Sequence, residues 1–302
     1  MASVLDSLPQ ASRIAVIRLR SLGDCVLTTP ALDILNRYRP DLRVAVVSDD
    51  RFRPIFENNP AVECVLPPRL SALRKWGPRV SVNFHGGTTS AWLTALSGSE
   101  HRAGFGHYRY QWIYNARIPR AQQILGVDRT VHTAEHLASA MFWLGAPPCE
   151  IPRAQLFAPP TPAPSPVAVI HAVAATPEKT WRADGFLAAA ARLRSLGLDP
   201  VFIGAASDDL SPFHEYRTVA GAPLAEIKSL LAGASFFVGN DSGPAHMAAA
   251  FGLPVVVIFG SSNPAIWGPW RTPNEIVTAP GGIAAVEIPQ VLHALERLRV
   301  HA

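Results

Sequence analysis

A proline-rich segment near the middle of the chain limits the possible folds more than any other feature. Residues 147–166 hold eight prolines: Pro147, Pro148, Pro152, Pro159, Pro160, Pro162, Pro164 and Pro166. Proline fixes φ and lacks an amide hydrogen, so the segment suits neither a helix nor a central strand and is typical of a stiff, extended linker. A chain of 302 residues is also long for one hydrophobic core. We therefore expect two domains, residues 1–160 and 161–302.

On both sides of this linker the order strand, turn, helix recurs. Short apolar runs predict strands at residues 14–19, 44–48, 80–84, 167–172, 200–204, 235–239 and 253–260. Residues with helical spacing or composition predict helices at 29–37, 137–144, 185–196, 248–251 and 291–299. Strands that alternate with helices form parallel sheets with right-handed crossovers. The predicted fold class is therefore α/β, with one doubly wound parallel sheet in each domain.

The charge of the chain is uneven. Residues 1–160 hold 18 Lys and Arg against 12 Asp and Glu, whereas residues 161–302 hold 9 against 11. A basic first half suits a phosphorylated partner or a membrane surface, although an ordinary solvated surface explains it as simply. Because the chain lacks a dense Lys/Arg run and an RNA-binding aromatic motif, nucleic acid is not expected as a partner.

The lack of a recognisable targeting signal and the spacing of the cysteines bear on the cellular compartment. No apolar run approaches the length that crosses a bilayer, and residues 1–13 lack the basic start and apolar core of a signal peptide. Cys25, Cys64 and Cys149 show neither disulfide-framework nor metal-site spacing. We therefore expect a cytoplasmic protein.

Residues 238–247, Val-Gly-Asn-Asp-Ser-Gly-Pro-Ala-His-Met, place a polar turn between a predicted strand and a predicted helix. The first amides of a helix lack internal partners and lie at the positive end of its dipole, so they hold phosphate well. Gly243 lets a ligand approach the backbone, and Pro244 suits a first helical turn. The segment predicts either a phosphate site or an ordinary helix start with Asp241 or Ser242 as the N-cap.

A similar turn, Arg20-Ser-Leu-Gly-Asp24, follows the first predicted strand. The carboxylate of Asp24 could accept a proton from an attacking hydroxyl group, or it could serve only as an N-cap. The turn contains no G-x-G-x-x-G, so the dinucleotide fingerprint is missing.

Two further turns carry candidate residues. Lys179, two residues before Trp181, could offset the charge of a departing diphosphate, or it could be an ordinary solvated lysine. His85 precedes a flexible Gly-Gly turn and could face a substrate, although a lone histidine is often structural.

Two segments imitate known catalytic motifs. His132-Thr-Ala-Glu135-His136 spells the H-x-x-E-H pattern of a class of zinc peptidases, but no later helix offers an acidic ligand. Gly239–Gly243 departs from the G-x-S-x-G nucleophile elbow because its serine falls one place late. We expect neither a metal site nor a serine hydrolase.

Together, the turns resemble glycosyltransferase family 9, the heptosyltransferases that build the inner core of lipopolysaccharide. The resemblance covers roughly residues 13–270 and rests on three motifs in the family's order: Arg18-x-x-Ser-Leu-Gly-Asp24, Lys179-x-Trp181 and Asp241-Ser-Gly-x-x-His246.

This resemblance implies a GT-B architecture, two Rossmann-like domains that face each other across a cleft, with the last helix packed back on the first domain. It implies an inverting transfer of heptose from ADP-heptose, which is a substrate, so that no cofactor is needed. The sequence has no acidic D-x-D pair, so we expect no requirement for a metal ion. The implied catalytic residues are Asp24, as general base, and Lys179. The implied donor-binding residues are Thr176, Asp208, Asp241, Ser242, Gly243 and His246. The implied acceptor-binding residues are Arg20, Ser21, Gly23 and His85.

The acceptor that the resemblance implies is a phosphorylated lipid A/Kdo core or a related glycan, which would bring the enzyme to the inner face of the inner membrane. Two other functions fit paired α/β domains. A sugar-nucleotide epimerase or hydrolase would need no glycan acceptor, and a two-lobed solute-binding protein would have no catalytic activity.

Overall fold

The computed structural model describes residues 3–299, and the chain divides into two compact units after Phe157. Residues 146–166 form neither helix nor strand. Their proline content explains this, because proline donates no backbone hydrogen bond.

The first unit contains a six-stranded sheet in the order β3-β2-β1-β4-β5-β6, and every neighbouring pair is parallel. Its strands are β1 (Arg13–Ile17), β2 (Arg43–Val47), β3 (Cys64–Leu66), β4 (Val80–Asn83), β5 (His101–Phe105) and β6 (Ala116–Ile118). Its helices are α1 (Leu22–Tyr38), α2 (Arg53–Phe56), α3 (Leu70–Trp76), α4 (Thr88–Leu96), α5 (Ala121–Leu125) and α6 (Thr133–Leu144).

The second unit repeats this plan with the strand order β12-β11-β10-β7-β8-β9, again all parallel. Its strands are β7 (Val167–His171), β8 (Asp199–Gly204), β9 (Arg217–Ala220), β10 (Ala234–Asn240), β11 (Val255–Ile258) and β12 (Asn274–Val277). Its helices are α7 (Ala183–Ser195), α8 (Leu224–Ala232), α9 (Gly243–Phe251), α10 (Pro264–Trp267) and α11 (Ile288–Arg299). Helix α11 packs on α7, β11 and β12 of its own unit.

The α/β class with two doubly wound parallel sheets is confirmed. Central strands such as β1 and β11 are continuous apolar runs because helices cover both faces of the sheet. The predicted strand at 14–19 is shorter than expected and ends at Ile17, and helix α1 begins at Leu22 instead of Thr29. Capping by Ser21 explains the early helix start, as described below.

In both sheets the strand order reverses direction at one place, between β1 and β4 in the first unit and between β7 and β10 in the second. Loops leaving the two strands at such a point go to opposite faces, which opens a crevice at their carboxyl ends where ligands bind. Every candidate site residue lies in a loop or helix start beyond the carboxyl end of β1, β4, β7, β8 or β10.

Among residues 3–299, no helix is both long and apolar enough to cross a membrane.

Candidate active site

Asp24 lies in the first turn of α1, where its carboxylate is held by the residue that starts the helix. Ser21 is the N-cap, and its hydroxyl group donates to Asp24 Oδ2 at 3.0 Å, with its backbone amide 3.5 Å from the same oxygen. This is the capping-box arrangement, in which the third helical residue returns to the N-cap. The alternative that Asp24 is itself the N-cap is therefore wrong, because Ser21 occupies that position.

Arg18, the first residue after β1, lies on the other side of this carboxylate. Its side chain is buried, and one guanidinium nitrogen is 3.4 Å from Asp24 Oδ1. Its Nε is also buried and has no hydrogen-bond partner within residues 3–299. A buried cation needs a nearby negative charge, so Arg18 and Ser21 together fix the position of Asp24. Arg18 was not among the predicted site residues, although a charge at the end of a buried apolar strand is an unusual signal.

The loops after β1 and β4 meet at a cavity of about 300 Å³ in the first unit. His85 Nδ1 is 3.1 Å from the carbonyl oxygen of Arg20. Burial and the charge of Arg18 lower the pKa of His85, so the neutral ring donates its Nδ1 proton to that oxygen. Both residues line the cavity, together with Leu19, Asp49, Pro68, Gly87, Thr88 and Thr89.

Of the four residues expected to bind the acceptor, the structure brings Arg20 and His85 together at this cavity. Ser21 instead bonds to Asp24, and Gly23 is buried in the first turn of α1. The turn that carries His85 is held by Asn83, whose Oδ1 accepts from the amides of His85 and Gly86 at 2.9 and 3.0 Å.

In the second unit, Ser242 is the N-cap of α9 and has an extended backbone. Its hydroxyl group does not bond to the amides of the helix but lies 3.0 Å from Nδ1 of His171, at the end of β7. Burial lowers the pKa of His171 to about 4, so its ring is neutral near pH 7. Pro244 has no amide hydrogen and the amide of Ala245 donates to the carbonyl oxygen of Ser242 at 3.2 Å, whereas the amide of Gly243 has no side-chain cap. The positive end of the α9 dipole at Gly243 suits an anion.

Lys179 connects three loops of this unit. Its Nζ donates to the hydroxyl group of Ser262 at 2.7 Å and lies 3.5 Å from Asp241 Oδ2. Ser262 follows β11 and was not among the predicted site residues. The approach of the loops is close at Gly260, where a Cβ would lie 2.3 Å from the carbonyl oxygen of Glu178. A glycine is therefore required there for the turn that carries Lys179 to reach the end of β11.

Asn240, the fully buried last residue of β10, holds the turn that carries Lys179, which we call the Lys179 turn. Its side chain donates to the carbonyl oxygen of Ala172 at 2.9 Å and accepts from the amide of Trp181 at 3.0 Å. Trp181 is itself buried and donates its indole N–H to the carbonyl oxygen of Val286 at 2.8 Å. Asn240 was also missed, although an amide side chain at the end of an apolar strand is the kind of buried polar group that anchors a loop.

The remaining donor candidates take different places. The carbonyl oxygen of Thr176 accepts from the Lys179 amide at 3.0 Å, and its buried hydroxyl group has no partner within the described residues. Asp208 accepts from the amide of Ala205 at 2.8 Å and so shapes the loop after β8. His246 is buried in the first turn of α9.

The H-x-x-E-H segment is a helix start. His132 is the N-cap of α6 and accepts from the amide of Ala134 at 3.1 Å, while Glu135 accepts from the His132 amide at 3.0 Å and pairs with Arg129. His136 stacks on Phe105 with ring centroids 3.9 Å apart. Across residues 3–299 no group of three His, Cys, Asp or Glu side chains has metal-site geometry.

Comparison with known proteins decides the family. Residues 79–286 match the sequence profile described as glycosyltransferase family 9 (heptosyltransferase). The chain belongs to glycosyltransferase family 9. The profile covers the Lys179 and Asp241 motifs, whereas Asp24 lies before the matched range. The protein is therefore a glycosyltransferase of the heptosyltransferase family of lipopolysaccharide biosynthesis.

Individual relatives agree with this assignment. The enzyme is 25% identical over 294 residues to lipopolysaccharide heptosyltransferase 3 of Escherichia coli K12, with 83% of each chain covered. Its fold is similar to that of a family 9 glycosyltransferase from Veillonella parvula, with a TM-score of 0.84, 21% identity and coverage of 97% and 98% of the two chains. It is similar to E. coli ADP-heptose lipopolysaccharide heptosyltransferase II, with a TM-score of 0.78, 20% identity and coverage of 96% and 99%. The fold is thus of the GT-B class.

Proposed function

We propose that this enzyme transfers heptose from ADP-heptose to an acceptor sugar of the lipopolysaccharide inner core, with inversion at the anomeric carbon. The observation that carries the proposal is the cluster in the second unit, where Lys179 lies beside Asp241 and the uncapped start of α9. An ammonium group and the positive end of a helix dipole together suit a diphosphate.

On the donor side, we propose that the amide of Gly243, at the start of α9, and the hydroxyl group of Ser242 hold the diphosphate. Lys179 would then neutralise the negative charge that builds on ADP as it leaves, and Asp241 and Ser262 would hold the lysine ready. Thr176, Gly243 and His246 would complete the phosphate and sugar contacts, and Asp208 those of the ribose. Because Lys179 and the start of α9 supply positive charge, the transfer would need no metal ion.

On the acceptor side, we propose that Asp24 is the general base. It would take the proton of an acceptor hydroxyl group, whose oxygen would attack the anomeric carbon while the bond to ADP breaks. A single displacement inverts the configuration. Arg18 and Ser21 would act as positioning residues that hold the carboxylate, and Arg20 and His85 would contact the acceptor at the cavity of the first unit.

The proposed acceptor is anchored in lipid. We therefore propose that the enzyme works in the cytoplasm, at the inner face of the inner membrane. The basic character of residues 1–160 supports contact with phosphorylated lipid.

The first test is calorimetric binding of ADP, UDP and GDP without added metal, to the natural protein and to Lys179→Ala. We expect selective binding of ADP that weakens by about 1–3 kcal/mol in the variant, the scale of a charged hydrogen bond. Lys75→Ala, at an exposed lysine of α3, is the matched control and should bind ADP normally.

Preference for UDP or GDP would be consistent with a transferase but would overturn ADP-heptose as its donor. Equal loss of affinity in Lys75→Ala would argue against a specific role for Lys179. Consumption of ADP-heptose without acceptor, at the rate seen with it, would favour a hydrolase over a transferase.

A further inference from the structure

Large apolar side chains are exposed together on the first unit. Trp112 is 64% exposed, Trp92 is 53% exposed and Leu96 is 43% exposed. Trp92 and Leu96 lie one turn apart on α4, so they occupy the same face of that helix. With the partly exposed Tyr110, we call these residues the aromatic patch. Exposed tryptophans in a group, unlike scattered ones, mark an interaction surface.

The exposed side chains lie on neighbouring elements, because α4 packs on the turn that contains Trp112. The hydroxyl groups of Thr88, in α4, and Tyr110, just before the turn, are 3.0 Å apart. Beneath them, Ala91 and Ile113 are buried in one small cluster, against which Tyr110 packs. The two elements that carry the exposed aromatic rings are therefore packed against each other through buried side chains.

Three arginines contact residues of the aromatic patch or of the turn that carries Trp112. Arg74 Nε donates to the carbonyl oxygen of Leu96 at 2.8 Å, and Arg102 Nε donates to that of Ile113 at 3.0 Å. Arg109 lies over the Tyr110 ring, 5.4 Å from its centroid. Within residues 3–299, none of these three guanidinium groups is in an ion pair with a carboxylate.

The surrounding sequence strengthens this positive charge. Residues 69–120 contain eight Lys and Arg but a single acidic residue, Glu100, which pairs with Arg79. The local charge is therefore strongly positive where the aromatic side chains are exposed, and a complementary partner carries negative charge next to apolar groups.

We propose that the aromatic patch and its arginines dock the first unit on the surface of an anionic phospholipid bilayer. Tryptophan and tyrosine favour the boundary between lipid headgroups and acyl chains, because their rings are apolar while their N–H or O–H groups stay hydrated. The arginines contact the phosphates of the headgroups.

The location of the patch suits this role. Helix α4 carries Trp92 and Leu96, and it begins at Thr88, which lines the same cavity as His85. This inference rests on the proposed function, because a lipid-anchored acceptor would leave the bilayer beside that cavity. A second copy of the chain fits the patch less well, since two such surfaces would bring like charges together.

The test is cosedimentation of the full chain with vesicles of phosphatidylcholine, with and without added phosphatidylglycerol. We expect binding to the anionic vesicles that weakens with salt, and binding at least about tenfold weaker for the double variant Trp92→Ser/Trp112→Ser, which loses two interfacial side chains. Arg74→Gln/Arg109→Gln should weaken binding to anionic vesicles and lessen the effect of salt. Trp143→Ser, at a 37% exposed tryptophan of α6, is the matched control and should bind like the natural protein.

A second measurement uses the natural protein alone. Brominated phospholipids in anionic vesicles should quench tryptophan emission, because Trp92 and Trp112 reach the depth of the upper acyl chains. Absence of vesicle binding, absence of quenching, or an equal loss in Trp143→Ser would overturn the proposal. A dimer that the double tryptophan variant abolishes would also overturn it, in favour of a self-association surface. ADP binding without vesicles tests the proposed function separately and should be the same in every tryptophan variant.

Discussion

In the first unit, the side chains that hold the candidate base come from one short segment, whereas in the second unit the lysine cluster comes from three separate loops. Arg18, Ser21 and Asp24 lie within seven consecutive residues. Lys179, in contrast, meets residues 62 and 83 positions further along the chain, Asp241 and Ser262. Both clusters occupy the same topological position, the carboxyl ends of strands at the point where the sheet changes direction.

The difference teaches what each site depends on. The Asp24 carboxylate is fixed by helix capping, which is a local interaction, so it should survive small changes elsewhere in the sheet. The Lys179 cluster depends on the buried anchor Asn240, which ties the end of β10 to the loop after β7. Damage to that anchor should loosen the donor site and leave the acceptor site intact.

The largest expected effect is on the rate of sugar transfer. Asp24→Asn keeps the size and the capping contacts of the side chain but removes the general base and the negative charge beside the buried Arg18. Transfer should fall by about 10²–10⁴-fold, the usual contribution of such a base, while ADP affinity stays unchanged. Product formation from ADP-heptose and acceptor measures the first quantity, and calorimetry measures the second.

The matched control is Asp33→Asn, on the same helix, where within residues 3–299 the carboxylate pairs only with the exposed Arg37. It should keep nearly full activity. Comparable losses in the two variants would mean that any lost charge on α1 impairs the enzyme, and Asp24 would no longer stand out as the base.

The second effect is on stability and on the donor site together. Asn240→Ala leaves the Ala172 carbonyl oxygen and the Trp181 amide buried without partners, which should cost about 3 kcal/mol of unfolding free energy. ADP affinity should fall as well, because the Lys179 turn loses its anchor. Urea unfolding and calorimetry on the same sample measure both quantities.

Asn274→Ala is the control, since among the described residues that partly buried amide donates only to the carbonyl oxygen of Thr272. It should cost about 1 kcal/mol or less and leave ADP binding normal. If Asn240→Ala unfolds more easily but binds ADP with full affinity, Asn240 is a stability residue and not a positioning residue.

The smallest effect is a dependence on pH. Burial holds the pKa of His171 near 4, below its ordinary value of 6.5, so the unfolded chain takes up a proton as the pH falls through 6.5 while the folded protein does not. The unfolding free energy is therefore unaffected by protonation of His171 above about pH 6.5. It falls as the pH is lowered from 6.5 towards 4, because protonation favours the unfolded chain. Between about pH 7 and pH 5 the loss should reach about 2 kcal/mol of unfolding free energy.

His171→Asn should remove the part of this loss that comes from His171, so the unfolding free energy should fall less steeply as the pH is lowered. His136 in the first unit, whose pKa is also lowered to about 4, should still contribute its own decline, so the variant curve keeps a slope from that unit. Urea unfolding at several pH values measures the curves. An unchanged slope in His171→Asn would show that His171 is not a source of the acid sensitivity.

Much of the fold could be predicted because its signals are local. Apolar runs marked the central strands such as β1, β7 and β11, which helices bury on both faces. The outer strands β3, β6, β9 and β12 were missed, since they are three or four residues long and β9 is largely exposed. Strand β5 was also missed, because its sequence His-Arg-Ala-Gly-Phe is not an apolar run. The true start of α1 was also missed, because the apolar pattern alone does not show that Ser21 and Asp24 close a capping box.

The candidate site shows the same division. The motif around Asp24 and the turn at Asp241–Gly243 could be found in the sequence, because a strand, a polar turn and a helix follow one another there. Ser262 and Asn240 could not be assigned, since their roles appear only when the ends of β7, β10 and β11 lie side by side. Arg18 was visible as a residue, but its contact with Asp24 depends on the path of the chain between β1 and α1.

The sequence by itself determined the two α/β units, the proline linker between them and the polar turns that follow their strands, because helix, strand and turn preferences act over a few neighbouring residues. Only the tertiary structure decided which turns meet. The order β12-β11-β10-β7-β8-β9 places the loop of Lys179 beside those of Asp241 and Ser262, although no local preference joins them. Strand order follows from burying both faces of a whole sheet at once, and that is a property of the complete chain.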